Sequence, residues 1–187
     1  MKKIILTILV ILMGSIFFKV CHAYVIGRIL NAENFSVEKI EIADVLNVSY
    51  DLENPMGTWD NPDEEKCRQI LDNPQDYRLV EVDYRVYNPS EKLEVVNVRA
   101  YPQKSDDLAC YTSGDGYFFV NVDLKTDRGF TQRIIVKTLG RTDEEILRQF
   151  KERYVSIKYY SSFPRDNHMY FGPYRVRKVR FSDIIRK

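Results

Sequence analysis

The stretch 77-YRLVEVDYRVY-87 decides the class of this chain. Val80, Val82, Tyr84 and Val86 alternate with Glu81, Asp83 and Arg85. A period of two puts the apolar members on one side of an extended strand and the charged members on the other, which a helical period of 3.6 cannot do. One face of this strand is expected to be buried and the other wet. Outward from it, Asn88-Pro89-Ser90 reads as a turn. Residues 92–101 then alternate again, with Val96, Val98 and Ala100 opposed to Asn97 and Arg99, so the two runs read as a hairpin.

Tyr-, Phe-, Val- and Ile-rich runs predict further strands at 24–30, 37–42, 45–50, 117–122, 131–138, 154–160 and 174–181. Two short helices carry explicit start signals. Asn61-Pro62-Asp63-Glu64-Glu65 offers an N-cap, a first-turn proline and acids facing the positive helix end, so a helix is expected over 62–71 with Cys67, Ile70 and Leu71 inward. Thr142-Asp143-Glu144-Glu145 fits a capping box ahead of Ile146, Leu147 and Phe150. Residues 51–61, 102–116 and 161–173 hold the loop chemistry, including a turn at Gly114-Asp115-Gly116. The expected fold is all-β with two short helices: an antiparallel β-sandwich or, as the alternative, a partly open β-barrel.

The N-terminus reads as a secretory signal peptide over residues 1–23. Lys2 and Lys3 precede an apolar run over 4–18, and Cys21-His22-Ala23 places small residues at the −3 and −1 positions of a cleavage site before Tyr24. The alternative is an uncleaved helix that tethers the domain to a membrane, although Lys19 ends the run short of the roughly 20 residues a span needs. Residues 24–187 then form one domain, secreted or held outside the cytoplasm in the periplasm or at the cell surface. Removing three lysines from 28 basic residues against 27 acidic ones leaves a net charge of −2, which argues against a nucleic-acid binder. The charge is unevenly placed. Residues 32–94 carry 16 acidic and 6 basic side chains, and residues 125–187 carry 7 acidic and 16 basic ones. Either acidic and basic strands lie side by side, or one charged face is dedicated to binding.

Export also bears on the cysteines. Cys67 and Cys110 are the two that follow residue 23, and an oxidising compartment allows them to pair. A bridge over that separation would stabilise by about 4 kcal/mol in the chain-entropy model. Two buried free thiols are the alternative.

Arg133-Ile134-Ile135-Val136-Lys137, Leu139, the helix over 142–150 and Val155-Ser156-Ile157-Lys158-Tyr159-Tyr160, with the strands around Asn88-Pro89-Ser90, together resemble small bacterial extracytoplasmic immunoglobulin-like domains. The resemblance is one of alternation and turns over about half of the exported part. It implies an immunoglobulin-like sandwich and carries over no catalytic residue. The 62–71 helix and the long basic C-terminal strand depart from that pattern.

Catalytic motifs are lacking. No Gly-x-Ser-x-Gly elbow or Ser-His-Asp set occurs, and His168 is the one histidine past residue 23. Two distant cysteines and one histidine lack zinc spacing, and Asp51, Glu53, Asp60, Asp63, Glu64 and Glu65 lack an EF-hand pattern. No cofactor or metal is expected. The C-terminal stretch interleaves Arg175, Arg177 and Arg180 with Tyr170 and Tyr174, side-chain types that anchor interfaces, and these five are the candidate partner-binding residues. The chain is thus read as a non-enzymatic binding or structural module of the cell envelope, with a protein or an envelope polymer as partner. The alternative is a secreted hydrolase with an acidic site around residues 51–65.

Overall fold

The structure, a computed structural model, describes residues 2–29, 35–55, 59, 63–87, 94–112, 127–162 and 170–186; within these, the side chains of residues 2–3, 18–29, 94–97, 158–162 and 170–177 are not described. The described residues form helices α1 (Lys2–Ile29), α2 (Ser49–Glu53), α3 (Glu64–Asp72) and α4 (Asp143–Lys151). The strands are β1 (Phe35–Ala43), β2 (Tyr77–Tyr87), β3 (Glu94–Pro102), β4 (Leu108–Tyr111), β5 (Asp127–Lys137), β6 (Tyr154–Ser162) and β7 (Tyr170–Arg180). They make two antiparallel sheets, one in the order β1-β2-β5-β4 and the other β3-β6-β7.

The decisive strand sits where its alternation demands. β2 is central, flanked by β1 and β5, with Val80, Val82, Tyr84 and Val86 almost fully buried. Opposite them on β5 stand Ile134, Gln132 and Phe130, and Tyr84 stacks on Phe130 at 4.8 Å between ring centroids. Val98 and Ala100 of β3 and Val155 and Ile157 of β6 join the same core, which therefore lies between the two sheets. Ile146 and Phe150, one turn apart on α4, add to it, and Phe181, just past β7, packs on Phe150 at 4.7 Å. Each such apolar side chain stabilises by roughly 1.5–3 kcal/mol on leaving water.

A second core lies on the back of the first sheet. Leu79 of β2 and Ile135 of β5 point away from the sheet-to-sheet core and meet Val45, Val48, Leu52, Trp59, Cys67 and Ile70. The β2–β5 pair is thus covered on both faces at this end, which explains why Leu79-Val80 and Ile134-Ile135-Val136 are consecutive apolar residues.

Several expectations are corrected. Residues 24–29 continue α1 instead of forming a strand; a helix satisfies its own backbone hydrogen bonds, whereas a strand here needs a partner. The expected strand at 45–50 is a 3-10 turn, Val45–Val48, followed by α2. Val45, Val48 and Leu52 are spaced three and four apart, which is helical spacing, and Asp44 starts the turn by accepting from the Leu46 N–H. β2 and β3 are not a hairpin, for they belong to different sheets, and their connection at 88–93 lies outside the described residues. Alternation states which face is buried and not which strand lies alongside. Among the described residues the short α-helices number three rather than two, and the expected loop at 102–116 contains β4. α3 is capped by Asp63 and not by Asn61. The strand expected at 117–122 and the turn at Gly114-Asp115-Gly116 lie outside the described residues.

α4 begins as read. The Thr142 N–H donates to Glu145 at 3.0 Å and the Glu145 N–H donates to Thr142 Oγ1 at 3.3 Å, completing the capping box. The turn before it places Leu139 (φ 51°) and Gly140 (φ 75°) in the left-handed region, a conformation that suits the glycine and strains the leucine. None of the described helices is long and apolar enough to cross a membrane.

Candidate functional site

The basic end of β7 is organised around one tyrosine. Antiparallel register sets Arg180 opposite Tyr154 and Lys178 opposite Ser156 on β6. Lys178 Nζ stands 4.7 Å and Arg180 Cζ 5.4 Å from the Tyr154 ring centroid. Arg180 Nε also donates to the Tyr154 hydroxyl at 3.2 Å, and its Nη1 lies 3.8 Å from Glu152. Two exposed cations on one half-buried ring are the arrangement that cation–π attraction favours, at about 0.5–1 kcal/mol for each exposed contact. The surface they leave is positive and partly aromatic, able to take an anion by charge and a ring or sugar by stacking.

The other candidates fall along the same strand. Arg177 is opposite Ile157, Arg175 opposite Tyr159 and Tyr170 opposite Ser162. Arg175 and Arg177 occupy positions of one parity along β7 and Arg180 of the other, so the three are not successive members of a single row. The side chains of Tyr170, Tyr174, Arg175 and Arg177 lie outside those described. Tyr154, which the structure sets beside Arg180 and Lys178, is not among the residues that the sequence points to; the signal available was its place in an aromatic strand next to the basic one.

Two acids of the acidic stretch, Asp51 and Asp63, are committed to structure, and Asp60 lies outside the described residues. Asp51 is 3.3 Å from Arg133, and its carbonyl accepts from the Trp59 indole at 3.1 Å. Asp63 caps α3 by accepting from the Lys66 N–H. Glu53 and Glu64 do share a place: with Leu52, Pro55, Arg68 and Leu71 they line an open groove of about 360 Å³ between α2 and α3. No group of three or more His, Cys, Asp or Glu side chains able to hold a metal occurs among the described residues.

Cys67 and Cys110 meet. α3 presents Cys67 and β4 presents Cys110 to the second core, where they are 1% and 0% exposed. They are two free thiols rather than the bridge that export anticipates. Burial pushes the Cys110 thiol up to about 12, and the neighbouring Cys67 adds to the shift.

Two buried polar centres escaped the sequence altogether. Gln132 donates to the Ala100 and Thr112 carbonyls, both at 2.6 Å, and accepts from the Tyr84 hydroxyl at 2.9 Å, joining the two sheets through the core. Asp107, 5% exposed, accepts from Ser105 at 2.7 Å, from Arg141 at 2.7 Å and from Arg153. Arg141 and Arg153 lie at the two ends of α4, so this carboxylate fixes the helix against the chain entering β4. Neither residue belongs to a motif, because their partners are far away in sequence.

No family model matches the chain, and no curated protein matches it. Among solved structures it is similar to a crystal structure of a protein from Archaeoglobus fulgidus, with 12% identity and a TM-score of 0.27, over 77% of this chain and 94% of that one.

Proposed function

We propose that the chain is an exported, non-enzymatic binding module of the cell envelope, built as an immunoglobulin-like sandwich. It meets an acidic protein or anionic envelope polymer at the basic end of β7. The observation that carries this reading is α1. Over residues 4–17 its large apolar side chains are 51–71% exposed. A helix that is apolar all round has no stable place in water. Behind Lys2 and Lys3 it fits the translocation path, with removal after Ala23 releasing the domain outside the cytoplasm. The binding role draws on Tyr154, Lys178 and Arg180, with Glu152 and Asp183 the acidic groups that face Arg180.

One experiment tests both parts. The full chain is expressed with its native N-terminus, and the product is fractionated and weighed intact. A mass lacking residues 1–23, found outside the cytoplasm, is the expected result; an unprocessed cytoplasmic chain overturns export. The secreted product should co-sediment with a purified anionic cell-wall polymer. The Lys178→Glu/Arg180→Glu variant should bind at least about fivefold more weakly and with less dependence on salt. Equal binding by the variant overturns the proposed surface.

A further inference from the structure

We propose that Cys67 and Cys110 form a disulfide that fastens α3, and with it one wall of the α2–α3 groove, to the edge strand β4. The proposal rests on the export reading for its oxidising compartment. Its geometry stands independently. The two residues are 43 positions apart in sequence, yet both are buried in one cluster with Ile70, Ala109 and Ile135. Two thiols brought from distant segments into one buried cluster are placed to bond where side-chain rotation closes the gap between them.

The position gives the bond a task. α3 has nine residues, too few for a stable helix alone, and buries only Cys67 and Ile70. β4 has four residues and pairs with β5 alone among the described strands. These are weakly held elements of the fold, and one covalent link joins them. Glu64, Arg68 and Leu71 of α3 face Leu52, Glu53 and Pro55 across the groove, so the link sets how far that wall can open.

The oxidant is a disulfide, either a small molecule such as oxidised glutathione or the active-site disulfide of a thiol oxidase. The Cys67 thiolate attacks one sulfur and expels the first thiolate. The Cys110 thiolate then attacks Cys67 in the mixed disulfide and expels the second. The protein surrenders two electrons and two protons, and the oxidant becomes two thiols. Burial raises the pKa of both cysteines, so neither is a thiolate at neutral pH in the closed fold. Exchange therefore runs during folding or while α3 is open.

The test uses the full chain carrying Cys21→Ser, which leaves the buried pair as its two cysteines. It is denatured, reduced and refolded in a mixture of reduced and oxidised glutathione, then alkylated in denaturant and peptide-mapped. The same map is made on chain taken directly from exporting cells. The expected result is a single intramolecular Cys67–Cys110 link. Amide exchange in α3 should be at least about tenfold slower than in the dithiothreitol-treated protein, and the melting temperature about 10 °C higher. Alkylation of both cysteines, a stable glutathione adduct or a cross-linked dimer in both preparations overturns the bond. A link without slower α3 exchange overturns the fastening. A chain that forms the link in vitro but stays in the cytoplasm defeats the export reading alone, and an exported chain with free thiols defeats the disulfide alone.

Discussion

Gln132 links the two sheets by polar pairing, bonding Tyr84 of one and Ala100 of the other. Its amide is fully buried and all three of its hydrogen bonds end on buried groups. Replacing it with the similarly sized leucine leaves the Tyr84 hydroxyl and the Ala100 and Thr112 carbonyls without that partner. Gln132→Leu should lose about 2–4 kcal/mol in urea unfolding. Tyr84→Phe alone should cost about 1–2 kcal/mol, and the double variant less than the sum, because each single change orphans the other's partner. Asp107 makes a pH-dependent contribution. Burial by itself raises its pKa, but hydrogen bonds from Arg153, Ser105 and Arg141 outweigh burial and bring it from 3.8 down to about 2. A depressed carboxylate stabilises the fold above its unfolded pKa and loses that stabilisation as pH falls through the folded value. The loss should therefore occur between about pH 4 and pH 2 and amount to about 2 kcal/mol. In Asp107→Asn the slope over that window should flatten, and stability at pH 7 should drop by a similar amount; an unchanged slope in acid titration of unfolding would show that the carboxylate is not the group responsible.

At the level of elements, local chemistry determined what local bonds can enforce. The capping box at Thr142 needs three residues and forms in full, and the Val80 to Val86 alternation needs one strand and is buried as read. Thr142→Ala should cost about 1 kcal/mol, measured as a lower urea midpoint with an unchanged slope. Where the reading failed, the signal was ambiguous or distant. Val45 and Val48 are β-branched, which favours a strand, but their spacing toward Leu52 is helical, and packing on Leu79 and Ile135 settled the choice. β4 is four residues long amid loop-like Ser105, Asp106 and Asp107, and it forms because β5 offers an edge for it to pair with. β2 and β3 each announce a buried face, yet nothing in either alternation states that β5 and β6, respectively, are their neighbours.

Across the whole molecule, the uneven charge is partly resolved by pairing between the halves. Arg133 spans Glu81 at 3.4 Å and Asp51 at 3.3 Å, and Arg186 reaches Glu38 at 3.5 Å, so basic side chains from the later half answer acidic ones from the earlier half. Arg85 with Asp127 runs the other way. Exposed pairs of this kind are worth about 0–1 kcal/mol each, which makes them a guide to strand placement more than a source of stability. The candidate site divides along the same line. Sequence pointed to a basic aromatic C-terminal strand and to Arg180, whereas the pairing of Arg180 and Lys178 about Tyr154 required the β6–β7 register. The sequence by itself determined an apolar N-terminal helix-length run, a mainly β chain, the helix start at Thr142 and the buried face of β2, because each is imposed by backbone geometry within a few residues. Tertiary structure alone decided which strands share each sheet, that a helical layer backs one of them, and that Asp107 gathers Arg141 and Arg153. Each of these depends on contacts between groups tens of residues apart, about which local periodicity carries no information.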